Sequence, residues 1–289
     1  MPELPEVEIV RQSLNRQVKN RKIINIQVNN RNLRLKVPKD FEQKFKNAVI
    51  EKILRKSKYL ILVFDNHLYC VIHLGMSGTL HFMGLKKKTT NLSFYGSQSL
   101  PKKHNHIIFR FKNFKLIYND PRRFGFFKIL KNKKDYLKFF TRIGPDAISK
   151  NFNKKYLDKI LKNRTKNIKN LLLDQKLVSG LGNIYVNEIL FQAKINPFKK
   201  SYLINLEENK RIVKYSKIIL KKAIDFGGSS IRDFKGITGK SGNFQSEFKV
   251  YDRTKKRCSR NNCSGQISRK IISNRSTFIC SVCQSKIIY

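Results

Sequence analysis

Three groups of residues in this chain have types and spacings that chemistry can use. The first is at the start, Met1-Pro2-Glu3-Leu4-Pro5-Glu6. Met before Pro is a junction that is normally processed, and loss of Met1 would expose Pro2 as a secondary amine. An α-amino group titrates at about 7.7–8.0, so a useful fraction is neutral and nucleophilic at physiological pH. A lysine would need a large pKa depression to match it. Glu3 and Glu6 add two carboxyl groups to the same stretch. Taken alone, these acids equally describe a helix start whose charges complement the dipole.

The second group is Cys258, Cys263, Cys280 and Cys283, two pairs with four and two intervening residues, divided by sixteen more. Cysteine pairs flanking a short hairpin converge tetrahedrally on Zn²⁺. Such a site is structural, because four ligands leave no position for water. The hairpin strands are expected at Ile267–Ile272 and Thr277–Ile279, with Arg269, Lys270 and Arg275 placed to meet phosphate. Four of the five Cys fall in the last 32 residues, a clustering that suits a metal site in a reducing compartment better than disulfides. Cys70, in the apolar run Leu68–Ile72, is expected to be an inert core thiol.

The third group is the turn Lys176–Tyr185. Gly180 and Gly182 permit close approach and Asn183 is a candidate N-cap. Exposed N–H groups at such a helix start bind phosphate, although most glycine-containing interhelical turns are simply turns.

These groups need a scaffold. The 289 residues allow two domains, and 40% hydrophobic with 11% aromatic content is that of a folded protein. The 62 Lys+Arg against 19 Asp+Glu give +43, which favours a polyanion, above all nucleic acid, as partner. Lys, Asn and Ile are abundant throughout, so part of this charge follows from biased composition. No apolar run approaches the ~20 residues that span a bilayer, and the opening residues lack the basic and apolar regions of a signal peptide. A soluble, cytoplasmic protein without membrane attachment is expected. Helical spacing of Val7, Val10, Leu14 and Val18 predicts a helix from near Pro5. Strands are predicted at Ile23–Val28, Tyr59–Phe64, Leu68–Leu74, His106–Phe111 and Phe114–Tyr118, the last two joined by a turn at Lys112-Asn113. Helices are predicted at Lys154–Lys162, Lys166–Lys176, Asn183–Gln192 and Glu207–Asp225. The expected organisation is α+β: a mainly β N-terminal domain with helices at its margins (1–140), a hinge (141–150), a helical domain ending in a Gly/Ser-rich loop (151–250), and a four-Cys finger (251–289).

Six motifs in order carry a family resemblance over essentially the whole chain. They are Pro2-Glu3-Leu4-Pro5-Glu6-Val7-Glu8, Lys58-Tyr59-Leu60, His73-Leu74-Gly75-Met76-Ser77-Gly78, Asp120-Pro121-Arg122-Arg123-Phe124-Gly125, Gly182-Asn183-Ile184-Tyr185, and the Cys finger. Together they closely resemble bacterial formamidopyrimidine-DNA glycosylases. The resemblance implies an N-terminal β-sandwich, a helix–two-turn–helix domain with a zinc finger, and double-stranded DNA containing oxidised purines held in the cleft between. It implies a monomer that meets the nucleoid through its DNA.

By the same resemblance Pro2 attacks C1′, expels the damaged base and leaves a Schiff base. Glu3 donates a proton in sugar-ring opening, and Glu6 supports the site through water or sugar. Lys58 acts in β-elimination and on phosphate, and Arg275 acts on phosphate and in δ-elimination. Met76, Arg122 and Phe124 fill the space left by the extruded base. His104, Arg164, Lys169 and Asn183 are the implied phosphate contacts, and Gly236–Gly242 corresponds to the segment that caps the lesion.

Two departures stand out: four residues, Ser259–Asn262, separate the first Cys pair where the family usually has two, and the cationic excess is large. An endonuclease VIII-like enzyme for oxidised pyrimidines is the nearest alternative, but Leu4 and Arg122-Arg123-Phe124 favour the purine enzyme. A non-catalytic zinc-finger DNA binder is the alternative of another class, against which Pro2, Glu3, Glu6 and Lys58 weigh.

Overall fold

In the computed structural model, which describes residues 2–84, 89–92, 100–229 and 243–285, the apolar spacing at the start becomes the buried face of α1 (Leu4–Val18). Pro5 sits in its first turn, where no intrahelical donor is needed. After α1 come β1 (Asn25–Val28), α2 (Phe41–Phe45), β2 (Ile50–Lys56), β3 (Tyr59–Phe64), β4 (Tyr69–His73), β5 (Thr79–Gly84), β6 (Thr89–Asn91), β7 (Asn105–Arg110), β8 (Phe114–Asn119), β9 (Phe126–Leu130) and α3 (Lys133–Phe140). The strands form two antiparallel sheets, β1-β7-β8-β5-β6 and β2-β3-β4-β9. One core joins them, with Val10 and Leu14 of α1, Phe41 and Phe45 of α2, Leu62, Phe109, Tyr118 and Phe127 all buried. Phe41 meets Phe45 edge-on at 5.1 Å and Phe127 at 6.0 Å, the offset geometry aromatic quadrupoles favour. Cys70 is wholly buried in this core, and burial pushes its thiol pKa up, as an inert core cysteine requires.

The strands read from alternation are present within a residue or two at each end. Others escape it. β2 carries a bulge between Ile50 and Lys52, so its buried positions lose the period of two. β9 begins directly after the Arg122–Gly125 loop with two consecutive buried Phe. The short α3 is set by its cap, Asn132, whose side chain accepts from Asp135 N.

Further along lie α4 (Lys154–Leu161), α5 (Ile168–Leu173), α6 (Asn183–Gln192), α7 (Leu206–Asp225), β10 (Ile267–Ile272) and β11 (Arg275–Cys280). α5 is shorter than the Lys166–Lys176 expected. Asn167 caps it at one end by accepting from Asn170 N, and Gln175 is drawn into the following turn. β10 and β11 pair from Ile267↔Cys280 to Ile272↔Arg275, joined by Ser273 and Asn274 at φ 47° and 59°. That is a two-residue turn with both φ positive, whose twist matches the strands. The chain divides into two compact units, Met1–Thr141 with Ile224–Gln245, and Arg142–Ala223 with Ser246–Tyr289. Among the described residues no helix is long and apolar enough to cross a membrane.

Candidate active site and nucleic-acid interface

In the first unit, Pro2 is buried ahead of α1, and Glu3 is the extended N-cap residue at φ −102° and ψ −171°. Glu3 and Glu6 form a capping box in which Glu3 N donates to Glu6 Oε2 at 2.8 Å. The other oxygen, Glu6 Oε1, accepts both the N–H and the hydroxyl of Ser229 at 2.9 Å. Glu6 thus joins the stretch bearing Pro2 to Gly228-Ser229, the last described residues before the expected lesion-capping segment. Gly228 passes over it at φ +80°, open to glycine without strain. That segment, Gly236–Gly242, lies outside the described residues.

Lys58 lies in the β2–β3 turn, almost buried, after Ser57 at φ +56°. Arg55 ties this turn to α1. Its Nε donates to Glu8 Oε2 at 2.9 Å and its Nη1 to Ser57 O at 2.9 Å, while Arg11 holds Glu8 Oε1. Burial raises the Glu8 pKa, but the hydrogen bonds and charges of Arg11 and Arg55 outweigh it and leave Glu8 below its usual range. Sequence reasoning quoted Glu8 without giving it a task and passed over Arg55. A signal was available, since a carboxylate and a guanidinium each lie a few residues from a proposed catalytic group.

Two exposed loops lie near the ends of β4 and β8. Met76 and Phe124 are 45% and 43% exposed. The Arg122 guanidinium stacks over the Phe124 ring at 4.5 Å, which holds cation and aromatic together. Gly75, at φ +66°, brings the loops into contact, because a Cβ there would lie 2.4 Å from the Phe124 carbonyl carbon. His104 ends a short 3-10 turn with its ring part-exposed, and its carbonyl accepts from Asp120 N.

In the second unit, α6 holds the finger hairpin. The N-cap of α6 is Gly182, not the Asn183 expected. Asn183 opens the helix proper and its Nδ2 donates to Ser276 O at 3.0 Å. One turn on, Asn187 Oδ1 accepts from Phe278 N at 2.8 Å. Glu188 accepts the backbone N–H groups of Lys249, Val250 and Tyr251. Burial raises the Glu188 pKa, and these three donors oppose the rise. Lys169 is another of the expected phosphate contacts. It is 0% exposed, and its ammonium donates to Ser276 O and Thr277 Oγ1, both at 2.8 Å. A buried cation must spend its donors on fixed acceptors, and here they are on the strand that begins with Arg275. Arg275 itself is exposed at the start of β11, and Arg164 is exposed after α4.

The Sγ atoms of Cys258, Cys263, Cys280 and Cys283 all lie within 4.8 Å of one another. The pairs 258–283 and 263–280 are 3.8 and 3.7 Å apart. Tetrahedral sulfurs at ~2.3 Å from a zinc ion are separated by about 3.8 Å, so the cluster fits a four-coordinate metal. A hydrogen bond from Gly265 N and contact with Cys283 draw the Cys263 pKa down to about 7, whereas burial raises those of Cys258 and Cys283. Gly265 has no room for a side chain, since a Cβ would meet Cys280 Sγ at 2.7 Å. The longer first loop is absorbed by Asn262 at φ +60° and put to use. Its Arg260 donates to Phe191 O at 2.6 Å and stacks on the Phe191 ring at 4.5 Å, a cation on the carbonyl end of α6.

Residues 1–127 match the family model described as the formamidopyrimidine-DNA glycosylase N-terminal domain, and residues 143–235 match that of its H2TH domain. A formamidopyrimidine-DNA glycosylase of Roseobacter denitrificans is 39% identical, over 98% of this chain and all of the relative. One from Wolbachia pipientis subsp. Culex pipiens is also 39% identical, over 99% of this chain and all of the relative. Among solved structures, the complex of Lactococcus lactis Fpg with DNA containing an abasic site superposes with a TM-score of 0.86 at 34% identity, covering 98% of this chain and all of the other. A mutant of the same protein bound to DNA containing Fapy-dG reaches 0.88 at 34% identity, covering 99% of this chain and all of the other. The chain belongs to the formamidopyrimidine-DNA glycosylase family.

Proposed function

We propose that this chain excises oxidised purines, 8-oxoguanine and formamidopyrimidines, from duplex DNA and then cleaves the strand, with Pro2 as the nucleophile once Met1 is removed. The observation that carries the reading is the buried start of α1. It combines a secondary amine in waiting, Glu3 at the N-cap, and Glu6 bound to Glu3 N and to Ser229.

The Pro2 nitrogen attacks C1′, and the electron pair of the glycosidic bond leaves with the base. Glu3 gives a proton to O4′ as the sugar ring opens and the iminium forms. Loss of a C2′ proton to water then expels the 3′ phosphate, to which Lys58 gives a proton, and loss of a C4′ proton to water in a second elimination expels the 5′ phosphate beside Arg275. Hydrolysis frees Pro2. Glu6 holds Glu3 and Ser229 in place, a positioning task that its two occupied oxygens favour over direct contact with sugar. Met76, Arg122 and Phe124 occupy the space of the extruded base. His104, Arg164 and Asn183 meet phosphate, and Lys169 acts on phosphate indirectly by holding the strand of Arg275. The four cysteines would hold Zn²⁺, which when bound ties the base of the finger together. The enzyme is read as a cytoplasmic monomer brought to the nucleoid by its substrate.

Borohydride trapping on an 8-oxoguanine:cytosine duplex tests the reading. A covalent protein–DNA adduct is expected with processed protein and its near-absence with Pro2→Gly. Processed, metal-loaded protein that gives no adduct would overturn the mechanism. Faster cleavage of thymine glycol than of 8-oxoguanine would shift the substrate class to oxidised pyrimidines.

A further inference from the structure

Met76 lies on one loop and Arg122 and Phe124 on another, and a single carboxylate fastens the two. Asp120 follows β8 and is 0% exposed. Its Oδ1 accepts Ser77 Oγ at 2.5 Å and Arg122 N at 3.3 Å. Its Oδ2 accepts Tyr118 Oη and Gly125 N, both at 2.9 Å. Ser77 Oγ also accepts from Arg122 N at 3.3 Å. One side chain therefore reaches the neighbour of Met76 and both ends of the Arg122–Phe124 loop.

The clip is itself anchored. Asp120 N donates to His104 O at 3.0 Å, and Asp120 O accepts from His106 Nε2 at 2.8 Å. Two glycines make room for it. A Cβ on Gly125 would lie 1.9 Å from Tyr118 Oη, and one on Gly78 would lie 2.6 Å from the same oxygen. A buried carboxylate held by four donors is stiff, because moving any one of them leaves an acceptor unpaired.

We propose that Asp120 is a positioning residue. Its carboxylate locks the Met76 loop to the Arg122–Phe124 loop, so that three side chains enter the duplex as one preformed wedge. The inference rests on the proposed function, in which these side chains replace an extruded base. Preorganisation matters where a stacked base has to be displaced. It matters little for an aldehydic abasic site in single-stranded DNA, which offers no stack to invade and still presents C1′ to Pro2.

The test compares Ser77→Ala and Asp120→Asn with wild type on two substrates. One is single-turnover cleavage of an 8-oxoguanine:cytosine duplex; the other is borohydride trapping on a single strand containing an abasic site. Asp120→Asn is expected to slow duplex cleavage roughly 10- to 100-fold, and Ser77→Ala to slow it by less, with trapping on the single strand within about twofold of wild type. Fluorescence of 2-aminopurine placed beside the lesion should rise less, since fewer stacks are opened. Equal losses on both substrates, or no loss on the duplex, would overturn the clip. Should Asp120→Asn lose its cooperative melting transition, Ser77→Ala decides alone, because it removes one hydroxyl from a part-exposed site. Inactive wild type on the duplex would overturn the proposed function itself, and is distinguishable because it precedes any comparison of variants.

Discussion

His73 ends β4 immediately before the Met76 loop, and its protonation should undo that loop. Its Nδ1 accepts from Gly75 N at 3.0 Å, so the ring has to be neutral with its hydrogen on Nε2. The ring stacks on Phe126 at 5.6 Å. Burial first, then the charges of Lys58 and Arg34, lower its pKa from 6.5 to about 4. Between those values the unfolded chain binds a proton that the fold refuses, so stability rises with pH across the window. The contribution is complete above pH 6.5 and is lost as pH falls toward 4. At about 1.4 kcal/mol per unit, some 2.5 kcal/mol should be gone by about pH 4.5.

His73→Gln keeps an acceptor for Gly75 N and cannot titrate. Urea unfolding of both proteins from about pH 8 to 4.5 gives the difference in stability at each pH. His81, which burial also holds neutral to about 4, is present in both and cancels. The difference should be level above about pH 7 and then fall by roughly 2–3 kcal/mol in favour of the variant. Below about pH 5, wild type should also lose duplex cleavage faster than His73→Gln. A difference that stays level throughout would refute the reasoning, since it would mean that His73 takes its proton equally well folded and unfolded.

Two further outcomes are expected in the second unit. Arg260→Ala should lower stability by about 1–2 kcal/mol through loss of the cation on the α6 carbonyls and of its stack on Phe191. Thermal unfolding measures this, and an unchanged Tm at unchanged metal content would count against the docking. Purified protein should carry one equivalent of zinc by elemental analysis, and stripping it under denaturing conditions should abolish strand cleavage after refolding without metal. Full cleavage by refolded, metal-free protein would refute a structural need for the ion.

Much of the site is legible in residue order because its chemistry is local. The capping box joins Glu3 and Glu6 within one turn of helix. The finger strands follow from two Cys pairs and the apolar residues between them, and α6 runs over the very residues its pattern predicts. The supporting contacts are another matter. Lys169 stands in a stretch of chain rich in basic residues, with Lys162, Arg164, Lys166 and Lys176 nearby, where sequence cannot tell a solvated amine from a buried one. Its acceptors lie 107 and 108 residues away. Glu8 finds Arg55 at a separation of 47, and Asp120 finds Ser77 at 43. Asn183 has the residue type of an N-cap but faces the finger, so that role falls to Gly182.

The sequence by itself therefore determined the grouping of Pro2, Glu3 and Glu6 at one helix start and the clustering of four cysteines, because each is written in residue type and short spacing. Tertiary structure alone decided which carboxylate binds backbone, which lysine is withdrawn from solvent, and which loops are fastened together. The reason is physical. A buried polar group is tolerated only beside a partner, and the chain brings distant partners together only when its core closes.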